Sequence, residues 1–345
     1  MIEYLPWSNH VFESCLNQYM LSEFGILDIE LGGQCNYNCI YCDSPMRNRH
    51  CSIAMDRIEL AFSENNIKWV FICGLGEPTF GENFNFLIFI LGLCEKYNAK
   101  CSIFTNLSNL NSHICKYIQK GILNILFKYD SNNLMKNMGL YGVPNVQRQM
   151  LNVNKLQEFI NNTNNCTNIA ASIVPTSINK DDILDVVRDC LNCGIYPLIA
   201  ELEYSGDAED YHGQLALKHE ELTKIKNQVD DLIGDDYSIP VCPSVICGIH
   251  IRYDGKVTVD EYTGLSCHWF WLKEPKTKVI ADFNVESMAD IIKKIKEYRM
   301  ERLKDVSKIS LVDHSTVFGG CGGNIEYLLR CYLKISKEGE NNDLS

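Results

Sequence analysis

Short apolar segments alternate with amphipathic segments between residues 25 and 205, and this alternation limits the folds that the chain can adopt. Six of the apolar segments have the length and composition of buried β-strands. They cover residues 26–31, 69–73, 101–105, 122–129, 168–174 and 197–202. Helical patterns lie between them, at residues 55–65, 84–98, 112–120, 145–161 and 180–193. Because neighbouring parallel strands need a crossover between them, the alternation predicts an α/β fold with a parallel sheet of six βα units.

Three cysteines follow the first predicted strand, at Cys35, Cys39 and Cys42, with the spacing C-x3-C-x2-C. A structural zinc site needs four ligands and usually shows paired C-x2-C sequences. Three thiolates around a cubane of four irons instead leave one iron with an open position, which can bind a small molecule and pass it an electron. The loop is therefore a candidate iron–sulfur site. The alternative is three unrelated buried thiols, since free cysteine packs as a small hydrophobic residue.

Polar residues and glycines stand where the later predicted strands end. The second strand ends in Cys73-Gly74-Leu75-Gly76-Glu77-Pro78, and its glycines would let the backbone approach a ligand closely. Further candidates are Thr105 and Asn106, Lys128, Ser172, and the pair Glu201 and Glu203. Lys128 ends an apolar strand, so it either reaches solvent or meets a carboxylate of a ligand. The two glutamates share one face of their strand, which is either the interior or the solvent side.

The charge of the chain limits its partners. A net charge of −12 and an isoelectric point near 5.2 argue against a broad basic surface, so we expect no binding to nucleic acid or to an anionic membrane. The longest apolar run, around residues 86–93, is too short to span a bilayer, and the N-terminus has no signal-peptide pattern. The 17 cysteines cannot form a disulfide framework in a reducing compartment. We therefore expect a cytoplasmic protein in which some cysteines bind metal.

The cysteine loop, with Tyr41 directly before the third cysteine, resembles that of the radical S-adenosylmethionine (radical SAM) superfamily. The segment from Gly74 to Pro78 resembles the G-G-E-P element of that family, with Leu75 inserted. The resemblance implies a partial (β/α)6 barrel over residues 25–205. It also implies that the three cysteines hold a [4Fe-4S] cluster that binds S-adenosylmethionine (SAM). Reductive cleavage of SAM would give a 5′-deoxyadenosyl radical, which abstracts hydrogen from a substrate C–H bond.

The same resemblance assigns residues to SAM, although it assigns none to catalysis. The methionyl amino group would lie on the Gly74–Pro78 segment with Glu77 nearby, and polar residues on later strands would contact the rest of the molecule. The candidates for SAM binding are Gly74, Gly76, Glu77, Pro78, Thr105, Asn106, Ser172 and Glu201. Asn179 is predicted instead to be the N-cap of the following helix, before Asp181 and Asp182.

A second set of cysteines lies in the C-terminal part of the chain, around a predicted hairpin with an Asp254-Gly255 turn. The order of features in this part of the chain resembles the SPASM or twitch auxiliary domain, a small cysteine-rich α+β unit. The order is a thiol, a hairpin, a thiol, a helix near residues 285–298 and a glycine-flanked thiol. Only part of the full SPASM cysteine pattern is present. The resemblance implies a second [4Fe-4S] cluster, with a zinc site as the alternative. The predicted ligands are Cys247, Cys267 and Cys321, with Cys242 or Cys331 as the fourth.

These elements divide the chain into five predicted regions. They are a lead-in at 1–24, the barrel at 25–205, a helical connector at 206–240 with a charged helix from 215 to 232, the auxiliary domain at 241–335 and a disordered tail at 336–345.

The resemblance implies an enzyme that modifies a ribosomally synthesised peptide and receives electrons from a donor such as flavodoxin or ferredoxin. One alternative is a dehydrogenase or isomerase of a small molecule, such as an aminocyclitol or a sugar. An alternative from another class is a non-enzymatic metal-binding protein. An unassigned thiol, such as Cys73 or Cys331, could also donate hydrogen to a product radical, as an epimerase requires.

Overall fold

The computed structural model describes residues 25–42, 48–72, 74–162, 169–200, 202, 206–234, 248–261 and 277–303. The predicted lead-in at 1–24 and the predicted tail at 336–345 lie outside these residues. None of the described helices is both long enough and apolar enough to cross a lipid bilayer.

Nine described strands form one sheet in the order β6-β5-β4-β3-β2-β1-β7-β8-β9. The strands are β1 (Ile26–Ile29), β2 (Trp69–Ile72), β3 (Lys100–Thr105), β4 (Leu123–Lys128), β5 (Ile169–Ile173), β6 (Tyr196–Ile199), β7 (Gly248–Ile251), β8 (Lys256–Asp260) and β9 (Thr277–Asp282). Strands β1 to β7 pair in parallel, and β8 and β9 run antiparallel to their neighbours. The prediction of six successive parallel strands is therefore confirmed.

Nine described helices accompany the sheet. They are α1 (Met55–Glu64), α2 (Gly81–Tyr97), α3 (Ser112–Gln119), α4 (Leu134–Tyr141), α5 (Gln147–Asn162), α6 (Ile183–Asn192), α7 (Asp207–Leu215), α8 (His219–Ile233) and α9 (Met288–Leu303). From β1 to β6, each strand lies beside the next strand in the chain, so every crossover runs in the same direction. Because crossovers are right-handed, the connecting helices lie on one face of the sheet, as in a barrel rather than a doubly wound fold.

The two faces of the sheet can be told apart on β3. Cys101 contacts Cys94 of α2, so Cys101 faces the helices, and its neighbour Ser102 points to the opposite side, which we call the inner face. Side chains that pair in parallel register point to the same side, and Ser102 pairs with Asn124 of β4. Side chains alternate between the two faces along a strand, so Lys128, four residues after Asn124, also points to the inner face. Ser172 pairs with Lys128 and therefore shares that face.

The structure corrects three local predictions. A helix absent from the sequence prediction, α4, follows β4. The helix predicted from 215 to 232 begins later, at His219, because Leu215 is the last residue of the preceding helix α7, where Ser177 donates from its backbone N and its Oγ to the last carbonyls. Asn179 is not an N-cap, since α6 begins at Ile183 with Asp182 before it. The Asn179 amide instead donates to the backbone oxygens of Asp130 and Val174.

The predicted hairpin is present, with β7 and β8 antiparallel and Gly255 in the turn at a φ of 78°. A Cβ at this glycine would lie 2.3 Å from Nδ2 of Asn284, so only glycine fits without a shift. Strand β7 also pairs in parallel with β1, with Gly248 opposite Ile26. The hairpin therefore continues the barrel sheet. The auxiliary domain predicted at 241–335 shares these strands with the barrel, and its boundary remains a prediction.

A buried group of three ionisable side chains lies where β7 joins β1. Nδ1 of His250 is 3.2 Å from Oδ2 of Asp28, and its Nε2 is 3.4 Å from Oε1 of Glu30. All three residues are buried. Burial raises the pKa of Glu30 to about 7, although His250 opposes the shift. Burial alone would lower the pKa of His250, but Asp28 and Glu30 raise it to about 9. Both groups therefore bind a proton more tightly in the folded than in the unfolded chain.

These shifts predict that stability falls as pH rises. The contribution of Glu30 to the free energy of unfolding is complete below its unfolded pKa of 4.5 and is lost by about pH 7. That of His250 is complete below 6.5 and is lost by about pH 9. Between pH 4.5 and 7, the free energy of unfolding of the wild type should fall more than that of Glu30→Gln, by up to about 3 kcal/mol. Denaturant titrations at several pH values measure this difference, and identical pH slopes would refute the assignment.

Candidate functional site

The cysteine loop begins where β1 ends, at the carboxyl edge of the sheet. Cys35, Cys39 and Cys42 are partly exposed, and none of the nine described cysteines is in a disulfide. Burial raises the pKa of the Cys39 thiol above its usual range, and the neighbouring Cys42 and Cys35 add to the shift. The three thiols are therefore close enough to interact electrostatically. Metal binding would require their deprotonation.

Backbone hydrogen bonds from α4 hold the cysteine loop. The backbone N of Asn38 donates to the oxygen of Tyr141 at 3.0 Å, and that of Ile40 donates to the oxygen of Leu140 at 3.0 Å. Gly142 ends α4 at a φ of 59°, and a Cβ there would lie 2.0 Å from the oxygen of Asn38. This contact requires glycine, both for the left-handed backbone and for the close approach.

Tyr41, which directly precedes the third cysteine, attaches the loop to the ends of β4 and β5. Its hydroxyl donates a hydrogen bond to Oδ2 of Asp130. Oδ1 of Asp130 accepts from the backbone N of Val174 at 2.7 Å, and the backbone N of Asp130 donates to the hydroxyl of Tyr141 at 3.1 Å. The Asp130 carboxylate thus ties the loop to two strand ends, and its backbone N adds a contact with α4. Sequence reasoning assigned no role to Asp130.

The Glu77 side chain is fully engaged inside the protein. Its Oε1 accepts from the backbone N and the Oγ1 of Thr79, at 3.0 and 2.6 Å, and from Oγ1 of Thr105 at 2.6 Å. Its Oε2 accepts from the backbone N of Asn106 at 2.7 Å. Burial raises the pKa of Glu77, and these hydrogen bonds oppose the shift. The predicted residues Glu77, Thr105 and Asn106 therefore meet in one network that joins the ends of β2 and β3.

Asn83, at the start of α2, fastens the glycine segment to the end of β1. Its Nδ2 donates to the backbone oxygen of Gly32 at 2.7 Å, and its Oδ1 accepts from the N of Gly32 at 2.9 Å. A Cβ at Gly76 would lie 2.3 Å from the oxygen of Gly32 and 2.6 Å from that of Gln34. The segment and the cysteine loop therefore pack backbone against backbone. Sequence reasoning did not identify Asn83.

A chain of side-chain hydrogen bonds reaches from β3 into the cysteine loop. Nδ2 of Asn106 donates to Oδ1 of Asn36 at 2.9 Å, and Nδ2 of Asn36 donates to Oγ of Ser108 at 2.9 Å. Asn36 follows the first cysteine directly. The predicted residue Asn106 thus has a contact with the cysteine loop that its position in the sequence did not specify.

Lys128 and Ser172 lie on the inner face beside this loop. Nζ of Lys128 is 4.6 Å from the centre of the Tyr41 ring, a distance that allows a cation–π interaction. Ser172 is buried at the end of the neighbouring strand. Lys128 is therefore oriented toward Tyr41 of the cysteine loop, and its contact with a ligand carboxylate stays a prediction. Ser172 pairs in register with Lys128, so the two side chains are neighbours on the inner face.

Several predicted site residues lie outside the described residues. They are Cys73, Glu201, Glu203, Cys242, Cys247, Cys267, Cys321 and Cys331. Within the described ranges, no three His, Cys, Asp or Glu side chains converge on the position of a single metal ion. A cubane does not need such convergence, because each thiolate bonds a different iron. Three cysteine thiols in one loop fit a cubane, since each would ligate one of three irons.

No protein-family model matches the chain, and no curated protein matches it in sequence. Solved structures do match it. SuiB of Streptococcus suis bound to S-adenosylmethionine superposes with a TM-score of 0.61 and 17% identity, over 84% of this chain and 70% of SuiB. SuiB bound to precursor peptide SuiA superposes with a TM-score of 0.55 and 17% identity, over 81% of this chain and 67% of SuiB. Native anSMEcpe with bound AdoMet and the Cp18Cys peptide superposes with a TM-score of 0.56 and 13% identity, over 93% of this chain and 100% of anSMEcpe.

These neighbours are radical SAM enzymes, and at such low identity the superposition shows a common fold. The chain has the α/β fold of radical SAM enzymes, with a mostly parallel central sheet. The fold that the cysteine loop implied is therefore confirmed. The auxiliary domain and the residues assigned to SAM and to iron remain predictions.

Two glycines of α4 provide a test of how the cysteine loop is held. Gly142→Ala should destabilise the fold by about 1–3 kcal/mol, because its Cβ would strike the Asn38 carbonyl in a left-handed backbone. Gly139→Ala is the matched control, since a Cβ there meets nothing within 4 Å and alanine favours a helix. Denaturant unfolding of the two variants measures the effect. Equal stabilities would contradict the proposed attachment of the loop to α4.

Proposed function

We propose that this protein is a radical SAM enzyme that abstracts hydrogen from a C–H bond of a ribosomally synthesised peptide. The observation that carries the proposal is the position of the C-x3-C-x2-C loop at the carboxyl end of β1, in a chain with the fold of radical SAM enzymes. In α/β folds of parallel strands, chemistry lies at this edge of the sheet. Cys35, Cys39 and Cys42 would hold the cluster.

When bound, the cluster supplies the electron that splits SAM into methionine and the radical that attacks the substrate. The protein residues bind and orient SAM. The backbone of the Gly74–Pro78 segment would bind the methionyl amino group, because its glycines keep that backbone uncovered. Glu77 would act through this backbone, since its carboxylate is occupied by Thr79, Thr105 and Asn106.

The inner face supplies two further groups for the ligand. Lys128 carries a positive charge beside Tyr41 and would meet the carboxylate of SAM or of the substrate. Ser172, next to it in register, would bind the ribose or a carboxylate. Glu201 remains a candidate for the ribose hydroxyls. This arrangement would keep the cleaved bond close to the iron with the open position.

The C-terminal cysteines would hold a second [4Fe-4S] cluster that binds substrate or accepts the electron left after hydrogen abstraction. In the sequence, Cys247 directly precedes β7 and Cys267 follows β8. Cys321 and either Cys242 or Cys331 would complete the set. A cytoplasmic donor such as flavodoxin or ferredoxin would supply the first electron.

A peptide substrate is supported by two neighbours, SuiB bound to its precursor peptide and anSMEcpe bound to the Cp18Cys peptide. The alternative substrate is a small molecule such as an aminocyclitol or a sugar, which would be oxidised or isomerised.

The activity can be tested by the production of 5′-deoxyadenosine. Anaerobically reconstituted protein should give 5′-deoxyadenosine from SAM and dithionite. The triple variant Cys35→Ala, Cys39→Ala, Cys42→Ala should give none and should lose about four irons per chain. Cys115→Ala, which removes a half-buried thiol on α3, should behave as the wild type. Iron analysis and liquid chromatography measure both effects. An inactive wild type that nevertheless binds metal would favour the non-enzymatic metal-binding protein.

The substrate class can be tested by mass spectrometry in deuterated buffer. Incubation with a short peptide encoded beside this chain should change the mass of the peptide in a SAM-dependent manner. Loss of mass indicates oxidation or crosslinking, and gain of one deuterium indicates epimerisation. An unchanged peptide together with conversion of a sugar or aminocyclitol would support the small-molecule alternative.

A further inference from the structure

The polar groups of Asn106 are engaged inside the protein. Its Nδ2 donates to Oδ1 of Asn36 at 2.9 Å, and its Oδ1 accepts from the backbone N of Ser108 at 2.9 Å. Its backbone N donates to Oε2 of Glu77 at 2.7 Å. The residue is also buried. Asn106, which the family resemblance assigned to SAM, therefore directs its amide group at the cysteine loop.

The turn after Asn106 determines where this amide points. Leu107 is buried and has a φ of 55°, a left-handed conformation that a bulky residue rarely adopts. Its backbone N donates to Oγ1 of Thr105 at 3.0 Å, and its backbone O accepts from Nδ2 of Asn152 at 2.9 Å. Such a conformation persists only where surrounding contacts hold it. The turn therefore presents Asn106 and Ser108 to the cysteine loop in a fixed orientation.

Asn36 receives contacts from both ends of this turn. Its Oδ1 accepts from Asn106, and its Nδ2 donates to Oγ of Ser108 at 2.9 Å. Asn36 is an exposed residue, so burial alone does not require these hydrogen bonds. The two contacts restrain the rotation of the Asn36 side chain and, through it, the backbone that carries it. Asn36 stands directly after Cys35, so the restraint acts beside a predicted iron ligand.

The peptide group between Asn36 and Tyr37 meets the sulfur of Cys35. The backbone N of Tyr37 donates a hydrogen bond to Sγ of Cys35 at 3.4 Å. The direction of this N–H depends on ψ of Asn36 and φ of Tyr37. The amide contacts hold Asn36, and the stacking of the Tyr37 ring on Tyr141, with ring centres 5.7 Å apart, holds Tyr37. Two separate anchors therefore keep the N–H directed at the sulfur.

We propose that Asn106 is a positioning residue for the cluster rather than a ligand of SAM. It acts through Asn36 to hold the Tyr37 N–H on the sulfur of Cys35, and this contact raises the reduction potential of the cluster. The inference rests on the proposed function, because it takes Cys35 as a cluster ligand. A reduced cluster carries one more negative charge, which its sulfur ligands share. An N–H directed at a sulfur therefore stabilises the reduced state more than the oxidised state.

The test is the midpoint potential of this cluster without SAM. Anaerobically reconstituted protein is titrated with reductant, and electron paramagnetic resonance follows the signal that is absent from the triple-alanine variant of the loop cysteines. This choice of signal excludes a C-terminal cluster. Asn36→Ala should lower the equilibrium constant for reduction on the order of tenfold, which is about 59 mV for one electron. Asn106→Ala and Ser108→Ala should lower the potential in the same direction. Asn227→Ala, at an exposed position on α8, should leave it unchanged.

Two further measurements distinguish positioning from a direct role in SAM binding. Because Asn36 and Asn106 act through one contact, the double alanine variant should lower the potential no further than the larger single change. A SAM ligand would behave differently, since Asn106→Ala would then weaken SAM binding and leave the potential without SAM unchanged. Ser108→Ala removes only a hydroxyl, so it tests the chain of contacts even if Asn106→Ala fails to fold.

The outcomes separate this inference from the proposed function. Unchanged potentials in Asn36→Ala and Ser108→Ala, or additive shifts in the double variant, overturn the role of Asn106. If the wild type still cleaves SAM, the proposed function stands in that case. A wild type without any signal that depends on the loop cysteines overturns both.

Discussion

The buried carboxylate of Glu77 is the constraint on which the arrangement of the candidate site depends. A carboxylate without water is costly, and here four hydrogen bonds from Thr79, Thr105 and Asn106 offset that cost. Because the donors come from the ends of β2 and β3, the carboxylate holds the two strand ends at a fixed separation. The glycine segment that precedes it is thereby fixed as well, which leaves its backbone for a ligand.

The attachment of β7 to β1 has a different physical character. Apolar side chains and parallel register bring the strands together, but Asp28, Glu30 and His250 put ionisable groups into the same junction. Such groups contribute little net stability even when they are paired, because burial removes them from water. The junction of the hairpin with the barrel sheet is therefore more sensitive to the protonation of these groups than an apolar junction would be.

Local patterns in the sequence were sufficient for β1 to β6, for the Asp254-Gly255 hairpin and for the glycine segment, since each depends on neighbours in the chain. Helix α4 was missed because Lys136, Asn137 and Gly139 obscure its apolar face. The signals at its two ends, Asn133 as N-cap and Gly142 after the last turn, could have revealed it. The role of Asn83 could not be predicted, because its partner Gly32 lies 51 positions away. The association of Glu30 with His250 is likewise set by the pairing of distant strands.

The contacts that hold the cysteine loop share one property that bears on how it binds iron. Asn38 and Ile40 are held through their backbones, Asn36 through its amide and Tyr41 through its hydroxyl. These anchors come from α4, from the end of β3 and from the end of β4, and they use backbone, amide and hydroxyl groups. The fold around the loop therefore contributes to its conformation. A loop ordered in advance loses less conformational entropy when it binds a cluster, so the protein has already met part of the cost of assembly on folding.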